Sequence, residues 1–187
     1  MVDERTLLTG EPLALDLINT RPAGGELIGT ARQLTDWLTL QADRLPIEAR
    51  GLAPRPADLA ALHAVRADID AAIRALLDGA APPNRALRGL GAAQREAPAI
   101  RELAWDGRAV TATPRRTGSP GTVLAAVFAE AATDLLTSPS AAKIKECEAG
   151  DCVLLFLPAH PRRRWCSATR CGNRARVARY YQRHKSD

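Results

Sequence analysis

The stretch CEAGDCVLLFLPAHPRRRWCSATRCGNR, residues 147–174, holds all four cysteines of the chain and determines how its C-terminal part folds. The cysteines form two pairs, each with four residues between its members: Cys147 and Cys152, then Cys166 and Cys171. Two close pairs on separate loops can supply the four thiolates of tetrahedral zinc, and the apolar run VLLFLP between them is typical of one strand of a small hairpin. The spacing predicts structural zinc, with two disulfides or four unrelated buried thiols as the alternatives.

Composition indicates an aliphatic, helix-rich body. The 187 residues are 46% hydrophobic but only 4% aromatic. The opening MVDERTLLTG is too charged for a signal peptide, and no window approaches the roughly 18 apolar residues of a membrane span. We therefore expect a cytoplasmic protein without membrane contact, whose thiols stay reduced, and this compartment favours metal over disulfides.

Charge is concentrated at the C-terminal end. Residues 143–187 carry eleven Lys and Arg against four acidic residues, a net +7, which leaves −2 for the rest of a chain whose total is +5. This asymmetry predicts a near-neutral body joined to a basic module that could contact a polyanion. A solvated, solubilising tail is the alternative.

The body should contain several helices. We expect a short helix within residues 10–21, a helix capped by Thr30, a long amphipathic helix over 56–79 that stops at Gly79, and a core helix over 121–137. Residues 82–91 predict a weaker helix, interrupted by Gly89 and Gly91.

A hairpin should interrupt the helices. Residues 99–113 read as two extended runs that meet at Asp106-Gly107, a dipeptide typical of a type I′ turn. The fold class we predict is therefore α+β. A mainly helical domain with a β-hairpin occupies residues 1–140, and a small four-cysteine zinc finger, a β-hairpin followed by a basic helix, occupies residues 141–187.

The run CGNRARVARYYQRHK predicts that basic helix, with Asn173 as its N-cap. At about 100° per residue, Arg176, Arg179 and Arg183 share one stripe, whereas Val177, Tyr181 and His184 form another side, expected to pack on the finger or the body. Guanidinium groups so arranged can bind phosphate oxygens or guanine edges, and a helix fits the major groove of duplex DNA.

The residues that carry these predictions resemble the CGNR zinc-finger family, whose bacterial members have an N-terminal ABATE domain and are described as stress-induced transcription regulators. The likeness rests on the first cysteine pair, the apolar strand, the three arginines 162–164, and WCSATRCGNR at 165–174. At the other end LALDLINTR, residues 13–21, looks like the motif that opens the ABATE domain. The resemblance covers essentially the whole chain.

The resemblance implies that the four cysteines bind one structural Zn²⁺ and that the finger binds double-stranded DNA. The residues expected to contact DNA are basic and belong to the finger: Arg162, Arg163, Arg164, Arg174, Arg176, Arg179, Arg183 and Lys185. Specific binding is expected to need a homodimer formed through the helical body, because one finger makes few contacts.

Three further residues of the finger carry expectations. Gly172 should let the backbone turn before the helix, and Trp165 should either cover the metal site or be ordinary core. The loop that contains His160 departs from the family pattern, in which an Asp is expected, so this histidine is a minor alternative metal ligand.

The N-terminal motif also carries polar residues. Asp16, Asn19, Thr20 and Arg21 could hold a small-molecule effector in a sensor cavity, but capping and turn formation explain them as well. No arrangement of nucleophile, base or open metal points to an enzyme. An RNA- or protein-binding adaptor stabilised by zinc is the alternative to a DNA-binding regulator.

Overall fold

The computed structural model describes residues 9–184, the last three by their backbone alone. Helices dominate, and two small antiparallel hairpins accompany them, so the predicted α+β class is confirmed. The elements in chain order are α1 (Leu13–Ile18), α2 (Ala31–Leu40), α3 (Leu59–Leu77), α4 (Asn84–Glu96), β1 (Ile100–Trp105), β2 (Val110–Arg115), α5 (Pro120–Thr137), β3 (Lys145–Glu146), β4 (Leu155–Phe156) and α6 (Asn173–His184). Within residues 9–184, every helix is too short or too polar to cross a bilayer.

Helix α5 is the centre of the core. Every residue from Val123 to Ala129 is buried, and α1, α3 and α4 all contact this helix. Trp37 of α2 stacks on Phe128 of α5 with 5.4 Å between ring centroids, and both side chains are fully buried. A helical segment buried on every side needs apolar or small residues at almost every position, and residues 123–129 of α5 supply them.

The start of α5 lies directly against the start of α3. Asp58, which precedes α3, accepts hydrogen bonds from the backbone N–H of Arg55 at 2.8 Å and of Gly121 at 3.0 Å. Both hydrogen bonds lower the pKa of the Asp58 carboxyl, and the bond from Arg55 has the larger effect. A Cβ atom on Gly121 would lie 2.6 Å from the carbonyl oxygen of Asp58, so the contact requires glycine.

Most predicted helix boundaries are confirmed. Thr30 caps α2 in a reciprocal capping box with Gln33, and Gly79 follows α3 with φ +69°. The predicted interruption of α4 is wrong, because the helix runs unbroken through Gly89 and Gly91. A Cβ on Gly89 would fall 2.0 Å from the Asp68 carboxylate of α3, so this glycine permits close helix packing.

The predicted hairpin is β1 paired with β2, but its turn differs from the expectation. The two central residues are Gly107, with φ +96°, and Arg108, and no residue other than glycine has a positive φ within residues 9–184. A type I′ turn needs two positive φ angles, so the turn follows the type II′ pattern instead. The Asp106 carboxylate accepts from the N–H groups of Arg108 and Ala109, both at 2.8 Å.

The main core continues beyond residue 140. Ile144 and Leu155 are buried in the same cluster as α1, α3 and α5. The side chain of Phe156, which follows Leu155, belongs instead to a second cluster, together with the cysteines. The two-residue strand β4 therefore contributes one side chain to each of two cores.

Candidate metal centre and basic helix

The hairpin of β3 and β4 positions the first cysteine pair. The strands pair antiparallel, and the N–H of Cys147 donates to the carbonyl of Leu154 at 2.9 Å. Between the strands, the N–H of Cys152 donates to the carbonyl of Ala149 at 2.9 Å and closes a tight turn. Both thiols are thus presented at the end of one hairpin.

The second pair is fixed by the start of a helix. A wide helical turn, Ala168–Gly172, leads without a break into α6, and the hydroxyl of Ser167 caps it by accepting from the N–H of Arg170 at 3.2 Å. Cys166 precedes this turn and Cys171 lies within it. A metal ion bound by Cys171 would therefore fix the first residues of the helical run.

Two expectations about this junction are wrong. Asn173 has helical φ and ψ and lies inside the helical run, so Ser167 is the cap. Gly172 has no positive φ, and a Cβ there would lie 3.4 Å from the ring of Trp165. Gly172 therefore lies beside Trp165 and does not make the expected sharp backbone turn.

The four sulfur atoms converge. They lie within 4.8 Å of one another, with 3.8 Å between the Sγ atoms of Cys152 and Cys166 and 3.5 Å between those of Cys166 and Cys171. Tetrahedral zinc with Zn–S bonds of about 2.3 Å requires sulfur atoms about 3.8 Å apart. All four cysteines are free, and the separations exceed the S–S bond length of about 2.05 Å. Both alternatives, disulfides and unrelated thiols, are wrong, and the cluster has the size of a tetrahedral metal site.

Electrostatics of the cluster also fit a cation. A hydrogen bond from the Cys166 thiol lowers the pKa of Cys152 to about 5, while that same bond and burial raise the pKa of Cys166. Burial, together with neighbouring sulfur charges, raises the pKa of Cys171 to about 11. Four adjacent thiolates repel one another, and a bound dication offsets that repulsion.

The shell around the sulfurs is built from Phe156 and Trp165. Phe156 is fully buried against the cysteines, and the half-buried Trp165 packs on the same cluster. The guanidinium of Arg163 lies over the Phe156 ring, 4.4 Å from its centroid, and that of Arg164 lies 5.4 Å from the Trp165 ring. Two N–H groups approach the sulfurs: the backbone of Cys166 reaches Cys147 at 3.3 Å, and Arg174 reaches Cys171 at 3.5 Å.

One predicted DNA contact is a structural residue. Arg163 donates to the carbonyls of Trp165 at 3.1 Å and Cys166 at 2.7 Å, and it pairs with Glu11 of the helical body at 2.6 Å. Its guanidinium is bound to these protein partners, and DNA contact by this side chain stays a prediction.

The remaining predicted contacts that the structure describes are exposed: Arg162, Arg164, Arg174, Arg176 and Arg179. Two of them pair with acidic residues of the first cysteine loop, Arg164 with Glu148 at 2.6 Å and Arg174 with Asp151 at 2.8 Å. The side chain of Arg183 and all of Lys185 lie outside the described residues.

The apolar side of α6 does not pack as expected. Val177 is 53% exposed and Tyr181 67%, so neither covers the finger or the body. The side chain of His184, expected on the same side, lies outside the described residues. His160, the alternative metal ligand, is exposed; its Nδ1 accepts from the N–H of Arg162 at 3.2 Å, away from the sulfur cluster.

The N-terminal polar residues are mostly used inside the protein. Asp16 is fully buried and accepts from the N–H of Gly10 at 3.0 Å and from Gln41 at 3.0 Å, besides its ion pair with Arg44. Thr20 donates to a backbone carbonyl of α1 and accepts from Arg66 at 2.8 Å. Protein groups thus occupy polar atoms of these residues, and effector binding by them stays a prediction.

Asn19 has a role that the sequence did not indicate. Its Nδ2 donates to the carbonyl of Leu155 at 2.8 Å, and its Oδ1 accepts from the N–H of Leu155 at 2.9 Å. Nearby, Glu11 accepts from the N–H of Leu157 at 2.9 Å. The motif LALDLINTR therefore binds the backbone next to the metal cluster, across 136 residues of sequence.

Arg21 lines an open cleft. A cleft of about 590 Å³ lies between the loop after α1 and helix α3, and its walls include Arg21, His63, Arg66 and Arg74. Effector binding at Arg21 stays a prediction.

Comparison with known families gives two matches that together cover nearly the whole chain. The ABATE profile, described as "Putative stress-induced transcription regulator", matches residues 11–139. The chain belongs to the ABATE family. A second profile, the CGNR zinc finger, matches residues 143–184 and so includes the four cysteines and α6. In this ABATE protein the predicted resemblance is confirmed, and the converging sulfurs lie within the zinc-finger match. None of the curated proteins searched matches the chain.

Proposed function

We propose that this ABATE protein is a one-component transcription regulator without enzymatic activity, which binds duplex DNA through its C-terminal finger and responds to stress or to a small effector. One observation carries the proposal. Helix α6 continues directly from the wide turn that contains Cys171 of the sulfur cluster, and its arginines Arg174, Arg176 and Arg179 are exposed to solvent.

A single Zn²⁺ held by the four cysteines would be structural. Four thiolates complete a tetrahedral shell, so no coordination position remains for water or substrate. Bound there, zinc would link the β3–β4 hairpin to the start of α6 and fix the direction in which the helix projects.

The exposed surface of the finger supports binding to phosphates. Arg176 donates to the Asn173 side chain at 2.9 Å and otherwise faces solvent, and Arg164 and Arg174 are held at the surface by Glu148 and Asp151. Exposed carboxylate–guanidinium pairs contribute little stability, so phosphate oxygens can replace these carboxylates at low cost.

The test is duplex binding by matched arginine variants. The double substitution Arg176→Ala/Arg179→Ala should weaken binding at least tenfold and reduce the salt dependence by about one ion per lost phosphate contact. Arg88→Ala, on the exposed surface of α4, is the control and should bind as the wild type does. Binding of the double variant that equals the control would refute the proposal.

Single-stranded RNA is a second candidate because of two exposed tyrosines. Tyr180 and Tyr181 lie edge to face on α6, 5.9 Å apart, and both are more than half exposed. Aromatic side chains of this kind can stack on unpaired bases. Competition between duplex DNA and RNA over a salt series discriminates the two, since preference for RNA with loss of binding on Tyr181→Ala would favour the second candidate.

A further inference from the structure

The hairpin of β1 and β2, which we call the arm, exposes an apolar face. Leu103 is 74% exposed, Trp105 66% and Val110 68%. Trp105 lies opposite Val110 and Leu103 opposite Ala112 in the register, so these side chains share one face. An isolated two-stranded hairpin is marginally stable in water, and an exposed apolar patch of this kind marks an interaction surface.

The base of the arm is fixed to the body, and strand β2 also contacts the short helical turn Ile47–Ala49. The side chain of Arg116, directly after β2, is 2% exposed. Its guanidinium binds Glu48 at 3.2 Å, the carbonyl of Ala97 at 2.6 Å and the carboxylate of Glu130. These partners come from three separate segments, and they anchor both ends of the hairpin to the body.

The two edges of the arm differ. The N–H of Asp106 donates to the carbonyl of Ala109 at 3.1 Å beside the turn, and hydrogen-bonded and non-bonded pairs alternate from there. Arg101 and Pro114 therefore form a non-hydrogen-bonded pair, in which the backbone N and C=O groups point away from the partner strand. The nitrogen of Pro114, which carries no hydrogen, thus lies on the outer edge of β2. On the outer edge of β1, Arg101, Leu103 and Trp105 keep free N–H and carbonyl groups. Only β1 therefore offers an edge suited to a further strand.

We propose that β1 pairs antiparallel with β1 of a second copy of this chain, across a twofold axis centred on Leu103, to form a four-stranded sheet. This register places Arg101 of one chain opposite Trp105 of the other, a cation–π pair. A register centred on Glu102 would oppose two carboxylates and is disfavoured.

The area agrees with a weak, reversible dimer. Edge pairing brings Leu103 and Trp105 of β1 against the partner strand but leaves Val110, on β2, exposed to solvent. The buried area is therefore below the roughly 1,200 Å² of stable interfaces, in the range of weak and transient contacts. The arm thus replaces the helical body as the expected dimer contact. Its use in presenting two basic helices rests on the proposed function, but the dimer itself does not.

The test measures the mass of the full-length, metal-loaded protein by sedimentation over a concentration series. The wild type should approach twice the 20.0 kDa of one chain at high concentration. Leu103→Lys places two ammonium groups on the axis and should stay monomeric throughout. The control Thr113→Lys lies on β2 and on the opposite face of the arm, so it should dimerise as the wild type does.

Crosslinking gives an independent reading of the register. Leu103→Cys should form an intermolecular disulfide, because opposed Cα atoms lie about 5.5 Å apart in a hydrogen-bonded antiparallel pair. Thr113→Cys should not, since about three strand spacings of ~4.8 Å separate its two copies. A monomeric wild type, a dimer that persists in Leu103→Lys, or open-ended oligomers would each overturn the proposal. A dimer that fails to bind DNA would refute only the proposed function, and a monomer that binds DNA would refute only the arm pairing.

Discussion

At the scale of single residues, Asn19 connects the helical body to the finger through both polar atoms of its amide. Substitution by alanine would leave the buried N–H and carbonyl of Leu155 without partners. We expect Asn19→Ala to lower the free energy of unfolding by about 2–4 kcal/mol, since each unsatisfied buried group costs about 1–3 kcal/mol. Urea denaturation measures this change. Asn84→Ala, the same substitution at an exposed position of α4, is the control and should shift the midpoint little.

Asp58 should make the free energy of unfolding depend on pH in the acid range. Its pKa in the folded protein is below the ordinary value of 3.8, chiefly because of the hydrogen bond from Arg55. The carboxylate therefore stabilises the fold at pH values above 3.8, and this contribution is lost as the pH falls through the lowered pKa. The free energy of unfolding of Asp58→Asn should fall less steeply than that of the wild type in this acid range. Parallel curves for the two proteins would contradict the assignment.

At the same scale, the sequence predicted which cysteines converge but not which polar residues support them. Four identical side chains in two equal pairs suffice to indicate a tetrahedral site. Asn19 and Arg163 could not be assigned, because each acts on partners that the fold, and not the local sequence, brings near. An arginine in a basic run has the same local pattern whether it faces DNA or a backbone carbonyl.

At the scale of elements, two glycines in helices should respond in opposite directions to the same change. Gly121→Ala should destabilise the protein by about 1–3 kcal/mol, because the new methyl group would overlap the backbone of Asp58. Gly91→Ala should stabilise it by up to about 1 kcal/mol, since alanine favours the helix and the nearest atom is the mobile guanidinium of Arg95, 3.3 Å away. Thermal denaturation of both variants checks the pair. Equal shifts in melting temperature would contradict the expected overlap between the new methyl group at residue 121 and the backbone of Asp58.

Periodicity and caps predicted most elements because they are local signals. The capping box at Thr30, the stop at Gly79 and the apolar spacing of α3 all act within a few residues. The start of α6 was misassigned for the same reason. Asn173 is a good cap by type, but Ser167 begins a wide helical turn earlier, around Cys171.

At the scale of the whole molecule, loss of metal should destabilise more than the finger. Leu155 is buried in the main core and Phe156 against the cysteines, so disorder at the cluster would also remove Leu155 and its bonds to Asn19. We expect chelation to lower the melting temperature of the helical body, measured by far-UV circular dichroism. Cys152→Ser should melt near the chelated wild type and respond little to further chelator. A helical signal unchanged by chelation would contradict this coupling.

The opposed side chains of β4 also limit the geometry of any bound DNA. Since β4 contributes to both cores, the cysteine hairpin packs directly on the helical body, and we expect α6 to keep one direction relative to the anchored base of the arm. Two copies joined at their arms would then hold their recognition helices at one separation. Such a pair would read an inverted repeat with a single allowed spacer length, and inserting half a helical turn of DNA between the repeats would place one of them on the wrong side of the duplex.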